Sequence, residues 1–283
     1  MAQLPFVVLN LPQVRGAEGV SHGQKFLATH PDIIEEFRLV TSRIFALIPF
    51  HQRQAFFLRN MLKQHSDTIE GKRILISGAG NVATHAAEKV LQLGGTPLTL
   101  SDSGGFIHCS DGLTQEQIDW VKELKGVRRG RISEAAEEFS NITFHEKGRP
   151  WGVEGDCAVP SATQNEINGE EAAALIKNGV KAVAEAANMP CEQAAVDAFM
   201  EAGVLFGPAK AVNAGGVGVS GLEMSQNSGR ISWAPERLRE LLENMMRDIH
   251  DSCVQYGKTD GGPTNYLAGA NIAGFVKVGD AML

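Results

Sequence analysis

The chain has 283 residues, of which 43% are hydrophobic and 21% are charged, and its formal net charge is −7 at pH 7. These values are ordinary for a globular protein, and the excess of acidic groups disfavours nucleic acid as a partner, because binding to phosphate backbones depends on clustered Lys and Arg. No apolar run approaches the roughly 18 residues that a membrane span needs, and the N-terminus lacks the basic start of a secretory signal. We therefore expect neither a nucleic-acid partner nor a membrane partner.

The cysteines are widely spaced and include no Cys-x-x-Cys pair: they are Cys109, Cys157, Cys191 and Cys253. This spacing argues against a disulfide framework and against a zinc or other metal site. It is typical of a protein in the reducing cytoplasm.

Residues 1–70 are predicted to form a short, partly helical N-terminal segment. Proline and glycine interrupt the first 30 residues, so no element is predicted there. Asp32 is a candidate N-cap for a helix whose apolar residues recur at helical spacing as far as Leu47, before Pro49 breaks the pattern. A second amphipathic helix is predicted from Arg53 to His65.

Short apolar runs alternate with helical patterns between residues 71 and 216. The predicted strands are Arg73–Ser77, Pro97–Asp102, Asp156–Val159, Ala182–Ala184 and Val204–Phe206. The predicted helices are Asn81–Leu93, Thr114–Leu124, Ile132–Phe139, Gly169–Lys177 and Cys191–Ala202. This alternation predicts an α/β fold, with a Rossmann-like, doubly wound parallel sheet covered by helices on both faces. Residues 217–283 are predicted to be a helical tail that packs on this domain.

The segment Gly78-Ala79-Gly80-Asn81-Val82-Ala83 matches the pattern G-x-G-x-x-A at a predicted junction of strand and helix. Gly78 permits a tight turn, Gly80 lets the backbone approach a pyrophosphate, and Ala83 allows close packing of helix on strand. The helix N-terminus then offers N–H groups to the anion. The alternative is a glycine-rich turn without a ligand, but the strand–turn–helix context favours a dinucleotide site.

Asp102 ends the second predicted strand, where an acidic residue accepts hydrogen bonds from a ribose 2′-hydroxyl. Taken alone, this carboxylate predicts NAD, because it repels a 2′-phosphate. Ser101 and Ser103 flank it, however, and a basic cluster follows at Lys125, Arg128, Arg129 and Arg131. Charge therefore leaves both NAD and NADP open.

Sequence segments well beyond the glycine turn also resemble a known protein family. The segments are Gly71–Arg73, Gly78–Ala83, Ser101–Ser103, Pro160–Glu166, Ala184–Pro190, Gly207–Val217, Ser220–Asn227, Asn265–Tyr266 and Gly269–Phe275. In these segments the chain resembles the cofactor domain of the Glu/Leu/Phe/Val dehydrogenase family, specifically the NADP-using bacterial glutamate dehydrogenases. The resemblance implies an oxidoreductase that interconverts an amino acid and a 2-oxo acid. Lys125 falls where NADP-using relatives carry a basic residue, so the resemblance favours NADP over NAD.

The resemblance also implies roles for polar residues at the ends of strands. Ala162 and Thr163 would lie along the cofactor's ribose, and Asn188 and Asn213 would hold the nicotinamide ribose and carboxamide. The competing interpretation of the two asparagines is loop capping. Ser220, expected at the start of a helix, would approach the distal carboxylate of the substrate, and its competing interpretation is a helix N-cap.

Residues 1–70 are too short for the family's N-terminal catalytic domain, and no Gly-Gly-x-Lys-Gly-Gly or Pro-Ala-x-Asp text is present. Hydride transfer from an amino acid needs a base and a clamp for the α-carboxylate. Titratable groups exist at His22, Lys25, His30, His51 and Arg53, but no spacing links them into a site, so no catalytic residue is assigned.

Three hypotheses remain open from the sequence. The first is a truncated NADP-dependent oxidoreductase. The second is a non-catalytic nicotinamide-nucleotide-binding protein, such as a regulatory partner of a full-length dehydrogenase, and the third is a fragment. A homo-oligomer and a paralogue partner both stay open.

Overall fold

The computed structural model of the chain describes residues 52–283, which belong to one compact unit. The helix predicted from Asp32 to Leu47 lies outside the described residues. Within those residues there are eight strands: β1 Arg73–Ile76, β2 Thr96–Pro97, β3 Thr99–Asp102, β4 Gly105–His108, β5 Thr143–Glu146, β6 Cys157–Val159, β7 Ala182–Ala184 and β8 Leu205–Gly207.

The same residues contain ten α-helices: α1 Arg53–Gln64, α2 Asn81–Gln92, α3 Gln115–Glu123, α4 Glu134–Glu138, α5 Gly169–Lys177, α6 Gln193–Glu201, α7 Ala209–Val212, α8 Ala214–Gly229, α9 Pro235–Tyr256 and α10 Tyr266–Met282. No helix in this part of the chain is long and apolar enough to cross a membrane. The predicted bounds of α5 are confirmed, and those of α1, α2 and α6 differ from the prediction by one or two residues.

Five strands form a parallel sheet in the order β2-β1-β6-β7-β8. Helices cover both faces of this sheet. Adjacent residues of a strand point to opposite faces, so two neighbouring residues of β8 identify the helix on each side. Phe206 stacks on Phe199 of α6 with ring centroids 6.2 Å apart, whereas Gly207 lies against Met61 and Phe57 of α1. Fully buried strands need apolar residues on both sides. The apolar residues therefore follow one another along each strand and do not alternate with polar ones. The predicted Rossmann-like α/β fold is confirmed.

The prediction of one strand from Pro97 to Asp102 is wrong. The backbone N–H of Leu98 still donates to the carbonyl oxygen of Ile74 at 2.9 Å, but the chain then leaves the parallel sheet. β3 pairs with β4 and β5 in a separate antiparallel sheet, in the order β3-β4-β5. The hairpin between β3 and β4 needs glycine at position 105, where φ is +148° and a Cβ would lie 2.1 Å from the carbonyl oxygen of His145.

The helix predicted from Thr114 to Leu124 ends instead at Glu123 and continues as a π-helical turn, Leu124–Arg128. Its start is as expected, since Thr114 and Gln117 form a capping box. Single π-turns are frequent at functional sites. Here the turn carries Lys125 towards the end of β3.

The C-terminal tail is helical, as predicted, and α9 and α10 pack against α1 and β8. Phe57 of α1 is fully buried and meets two rings edge-on, His250 of α9 at 5.6 Å and Tyr266 of α10 at 6.0 Å between centroids. α1 runs opposite to the strands. Leu62, near its C-terminal end, lines a groove with Val204, which precedes β8, whereas Arg53 at its start reaches Asn213 beyond that strand.

Candidate functional site

A cleft of about 610 Å³ lies at the carboxyl ends of β1, β3 and β6. Nine of the eleven residues predicted to bind cofactor line it: Gly78, Gly80, Asn81, Val82, Ser101, Asp102, Lys125, Ala162 and Thr163. The other two, Asn188 and Asn213, do not, and neither does Ser220. This edge of an open α/β sheet is where ligands bind, because strand ends and helix N-termini converge there.

The turn after β1 has the geometry that its glycines predict. Gly78 has φ +83°, and a Cβ there would lie 3.0 Å from the carbonyl oxygen of Ser161, so the turn requires glycine. Gly80 is the N-cap of α2, and a Cβ on it would meet nothing within 4 Å. Ala83 is fully buried against the sheet. The first N–H groups of α2 have no acceptor within the helix, so they offer donors to an anion in the cleft.

Two serine hydroxyls hold the loops around this turn in place. The backbone N–H of Gly78 donates to Oγ of Ser101 at 2.7 Å, which ties the turn to β3. The backbone N–H of Ser161 donates to Oγ of Ser77 at 2.8 Å, which ties the loop after β6 to β1. The floor of the cleft is therefore preorganised by bonds among its own residues.

Asp102, at the end of β3, is paired with a lysine and accepts two backbone hydrogen bonds. Its Oδ2 lies 2.8 Å from Nζ of Lys125 and accepts a bond from the backbone N–H of Ile132 at 3.0 Å, while Oδ1 accepts from the N–H of Gly104 at 2.8 Å. Burial alone would raise the pKa of Asp102, but these three bonds together lower it below its ordinary value. The carboxylate is therefore ionised, and its charge is balanced by a lysine on the π-turn.

Further cationic groups border the same end of the cleft. Arg131 donates to Oγ of Ser103 at 2.7 Å. Lys147 and Arg149, from the loop after β5, also line the cleft. Sequence reasoning missed Lys147 and Arg149 because β4 and β5, which bring that loop beside the glycine turn, were not predicted.

Glu166 is a buried carboxylate in the cleft wall that was not predicted as a site residue. Its Oε1 accepts the backbone N–H groups of Ala162 at 3.0 Å and Thr163 at 3.4 Å. Burial raises the pKa of this carboxyl, against the opposing effect of its hydrogen bonds. The two N–H groups are therefore turned towards Glu166, and the glutamate shapes the loop that faces the expected ribose.

Asn188 and Asn213 lie beyond the ends of β7 and β8, beside one another in the fold. Nδ2 of Asn213 donates to the carbonyl oxygen of Ala187 at 3.1 Å, next to the exposed Asn188. Glu185 at the end of β7 fixes this region, since its carboxylate accepts the backbone N–H of Cys191 at 3.2 Å and that of Ala209 at 2.8 Å. Burial raises the pKa of Glu185.

Ser220 is not at a helix start, and the alternative reading as an N-cap is wrong. It is the seventh residue of α8, which begins at Ala214, and its exposed hydroxyl donates to the carbonyl oxygen of Gly216 at 3.4 Å. The helix instead begins at Ala214 and includes the glycines from Gly215 to Gly221, which helix propensity disfavours. Glycines are tolerated in this helix because α9 packs closely, as at Gly218, where a Cβ would strike Sδ of Met245.

A family model for Glutamate/Leucine/Phenylalanine/Valine dehydrogenase matches residues 54–283. The chain belongs to this dehydrogenase family. The match begins within α1 and runs through both sheets to the last residue, so it covers the whole cleft and the helical tail. The resemblance inferred from the sequence is thereby confirmed.

Relatives within the dehydrogenase family are glutamate dehydrogenases. The chain is 52% identical over 228 residues to the NAD(P)-specific glutamate dehydrogenase of Xylanibacter ruminicola and 51% identical over 228 residues to the NADP-specific glutamate dehydrogenase of Salmonella typhimurium. Each match covers 81% of this chain and 51% of the relative. The chain therefore spans about half the length of the curated relatives it matches.

Solved structures give the same result for the fold. The crystal structure of Plasmodium falciparum glutamate dehydrogenase superposes with a TM-score of 0.81 at 37% identity, covering 83% of this chain and 51% of that chain. Glutamate dehydrogenase 2 of the same organism superposes with a TM-score of 0.79 at 40% identity, covering 81% and 50%.

Proposed function

We propose that the chain binds NADP(H) in the cleft and is the cofactor-binding part of an oxidoreductase of the glutamate dehydrogenase type. The pyrophosphate would sit on the N–H groups at the start of α2, which Gly78 and Gly80 leave accessible. The adenosine end of the site comprises Asp102, Ser103 and Lys125. The nicotinamide end comprises Asn188, Asn213 and Ser220.

The observation that carries the proposal is the ion pair between Lys125 and Asp102 beside the pyrophosphate turn. An unpaired carboxylate at this position would accept a ribose 2′-hydroxyl and repel a 2′-phosphate. With Lys125 at 2.8 Å, that repulsion is offset, and Arg131 on Ser103 adds a second cation. The name of the Salmonella typhimurium relative, NADP-specific, agrees with this preference, whereas that of the Xylanibacter ruminicola relative, NAD(P)-specific, covers both nucleotides.

The reaction proposed for this site is hydride transfer between the nicotinamide and an amino acid or 2-oxo acid. In the oxidative direction the α-ammonium group would lose a proton to a base and the α-carbon would give its hydride to the nicotinamide, leaving an iminium. Water would then add to that carbon, and ammonia would leave to give the 2-oxo acid. Asn188 and Asn213 would fix which face of the ring meets the substrate, with Ala162 and Thr163 along the ribose. Directional amide bonds at strand ends suit this task.

A second candidate function is nucleotide binding without turnover, as a subunit or regulator of a longer dehydrogenase. The observation that favours it is the lining of the cleft, where the described residues offer contacts for a nucleotide. Amino-acid oxidation also needs a base and a carboxylate clamp, and binding of the cofactor alone supplies neither.

One titration separates these functions. Purified protein is titrated with NADPH by fluorescence, and 2-oxoglutarate with ammonium is then added to the same sample. We expect saturable binding followed by consumption of NADPH. Binding without consumption would support the second function for that substrate, and absence of binding would overturn both.

A further inference from the structure

The first residue of α1, Arg53, reaches the nicotinamide end from outside the Rossmann strands. Its Nη2 donates to Oδ1 of Asn213 at 3.5 Å, across 160 residues of sequence. The contact joins α1 to the junction of α7 and α8, where Asn213 is the last residue before α8. No motif or spacing in the sequence linked these two residues.

The contact determines which way the Asn213 amide points. Oδ1 faces the guanidinium of Arg53, and Nδ2 donates to the carbonyl oxygen of Ala187 at 3.1 Å. The reversed amide would place its NH₂ against a guanidinium, which has donors only, and its oxygen against a carbonyl. A cation on one side and a carbonyl on the other therefore fix a single orientation.

Packing holds Arg53 at this position. α1 is anchored by fully buried Phe57, and two glycines of α8 bring their backbone against the arginine. A Cβ on Gly216 would lie 3.4 Å from Cζ of Arg53, and one on Gly215 would lie 3.2 Å from its Cβ. Burial lowers the pKa of the Arg53 guanidinium from its ordinary value. The approach of α8 to α1 thus depends on the absence of a side chain at Gly215, whereas a Cβ on Gly216 would make an ordinary contact with Arg53.

We propose that Arg53 is a positioning residue that orients the Asn213 amide for the nicotinamide half of the cofactor. The inference rests on the proposed function, because it takes Asn213 as the contact of the nicotinamide carboxamide. Oδ1 has a second lone pair and Nδ2 a second hydrogen, which together match the donor and acceptor of a carboxamide. Arg53 acts through Asn213, and the fixed amide reduces the ordering that the ligand must impose.

The test compares two ligands on the full chain. NADPH contains the nicotinamide half, whereas adenosine 2′,5′-bisphosphate occupies only the adenosine end. Arg53→Met is expected to weaken NADPH binding by about fivefold to tenfold and to leave the bisphosphate unchanged. Arg53→Lys should recover part of the loss, because it restores a cationic donor without the planar guanidinium.

A double-mutant cycle keeps the proposal falsifiable if Arg53→Met is poorly folded. In an Asn213→Ala background, Arg53→Lys should no longer change NADPH affinity, because the amide it orients is gone. Unchanged NADPH affinity in Arg53→Met, equal loss for both ligands, or persistence of the Arg53 effect without Asn213 would each overturn the proposal. Failure of the unmodified protein to bind either ligand would instead overturn the proposed function.

Discussion

The adenosine end and the nicotinamide end of the proposed site differ in how many contacts the described residues supply. Asp102 accepts three hydrogen bonds from a lysine and two backbone N–H groups within one wall of the cleft. Asn188 is exposed, and Asn213 is tied to Arg53 by a long contact of 3.5 Å. The difference teaches that the proposed contacts to the adenosine half lie within the Rossmann domain itself, whereas those proposed for the nicotinamide half depend on elements that approach from elsewhere in the chain.

The largest effect is expected at the pyrophosphate turn. Gly80→Val should lower NADPH affinity by about 100-fold or more, because the side chain fills the space through which the phosphates approach the backbone. A Cβ at Gly80 meets nothing within 4 Å, so the protein should lose only about 1 kcal/mol of stability, as for an N-cap change. Calorimetric titration and thermal unfolding measure both quantities.

Gly78→Val is the matched comparison for that variant. With φ +83° and the Ser161 carbonyl oxygen 3.0 Å from a Cβ, it should lose both binding and stability. Normal NADPH binding by Gly80→Val would contradict the proposed site, since it would show that the nucleotide binds away from this turn.

Lys125→Met is expected to lower NADPH affinity by about tenfold or more while leaving NADH affinity nearly unchanged. The substitution removes the cation and leaves the Asp102 carboxylate to repel a 2′-phosphate. Lys122→Met is the control, because Lys122 pairs with Glu88 at 3.1 Å and does not line the cleft. Equal losses for both nucleotides would show that Lys125 acts on the fold rather than on cofactor choice.

A smaller effect is expected on stability, through His250, which packs against Phe57 of α1, the helix that carries Arg53. Burial lowers the pKa of His250, and the hydrogen bond from its Nδ1 to the carboxylate of Asp251 only partly opposes this. The folded pKa is therefore below the unfolded value of about 6.5, so the unfolded chain binds more protons as the pH falls through that value. The free energy of unfolding should be constant above that pH and fall by up to ~1.4 kcal/mol per pH unit below it.

Thermal unfolding between pH 8 and pH 5 checks this expectation. His250→Gln should flatten the slope, whereas His145→Gln, at an exposed position of β5, should keep it. An unchanged slope in His250→Gln would assign the pH dependence to other groups.

The smallest effect on NADPH affinity is expected at the rim of the cleft. Lys147 has 86% of its side chain exposed and lies 3.6 Å from Glu146, so its charge is well screened. Lys147→Met should weaken NADPH binding by about twofold to threefold at low salt, and the difference should vanish as salt is raised. A tenfold loss of NADPH affinity that persists at high salt would indicate that the 2′-phosphate binds beside Lys147 and not beside Lys125.

The adenosine end could be predicted from the sequence to a large degree, because its chemistry is local. The glycine turn and the segment of Ala162 and Thr163 come after β1 and β6 of the parallel sheet, whose strands end at one edge, and Asp102 is the last residue of β3. The strand β5 escaped prediction because it is largely exposed, and β4 holds only two consecutive apolar residues, Phe106 and Ile107, after a glycine. Without this pair of strands, the approach of Lys147 and Arg149 to the cleft could not be foreseen.

The nicotinamide end was harder to predict for a different reason. The contact between Arg53 and Asn213 spans 160 residues and depends on the packing of α1 against β7 and β8. Ser220 was misplaced at a helix start because helix propensity disfavours glycine, and the close packing of α9 overrides that preference. Long-range packing of this kind leaves no signal in local spacing.

The most direct test of the account is a crystal structure of the protein with NADPH. We predict the pyrophosphate on the N–H groups at the start of α2, within contact of Gly80, and the 2′-phosphate beside Lys125 and Ser103. A nucleotide bound elsewhere, such as in the groove lined by His65 and Lys181 at the opposite edge of the sheet, would contradict it.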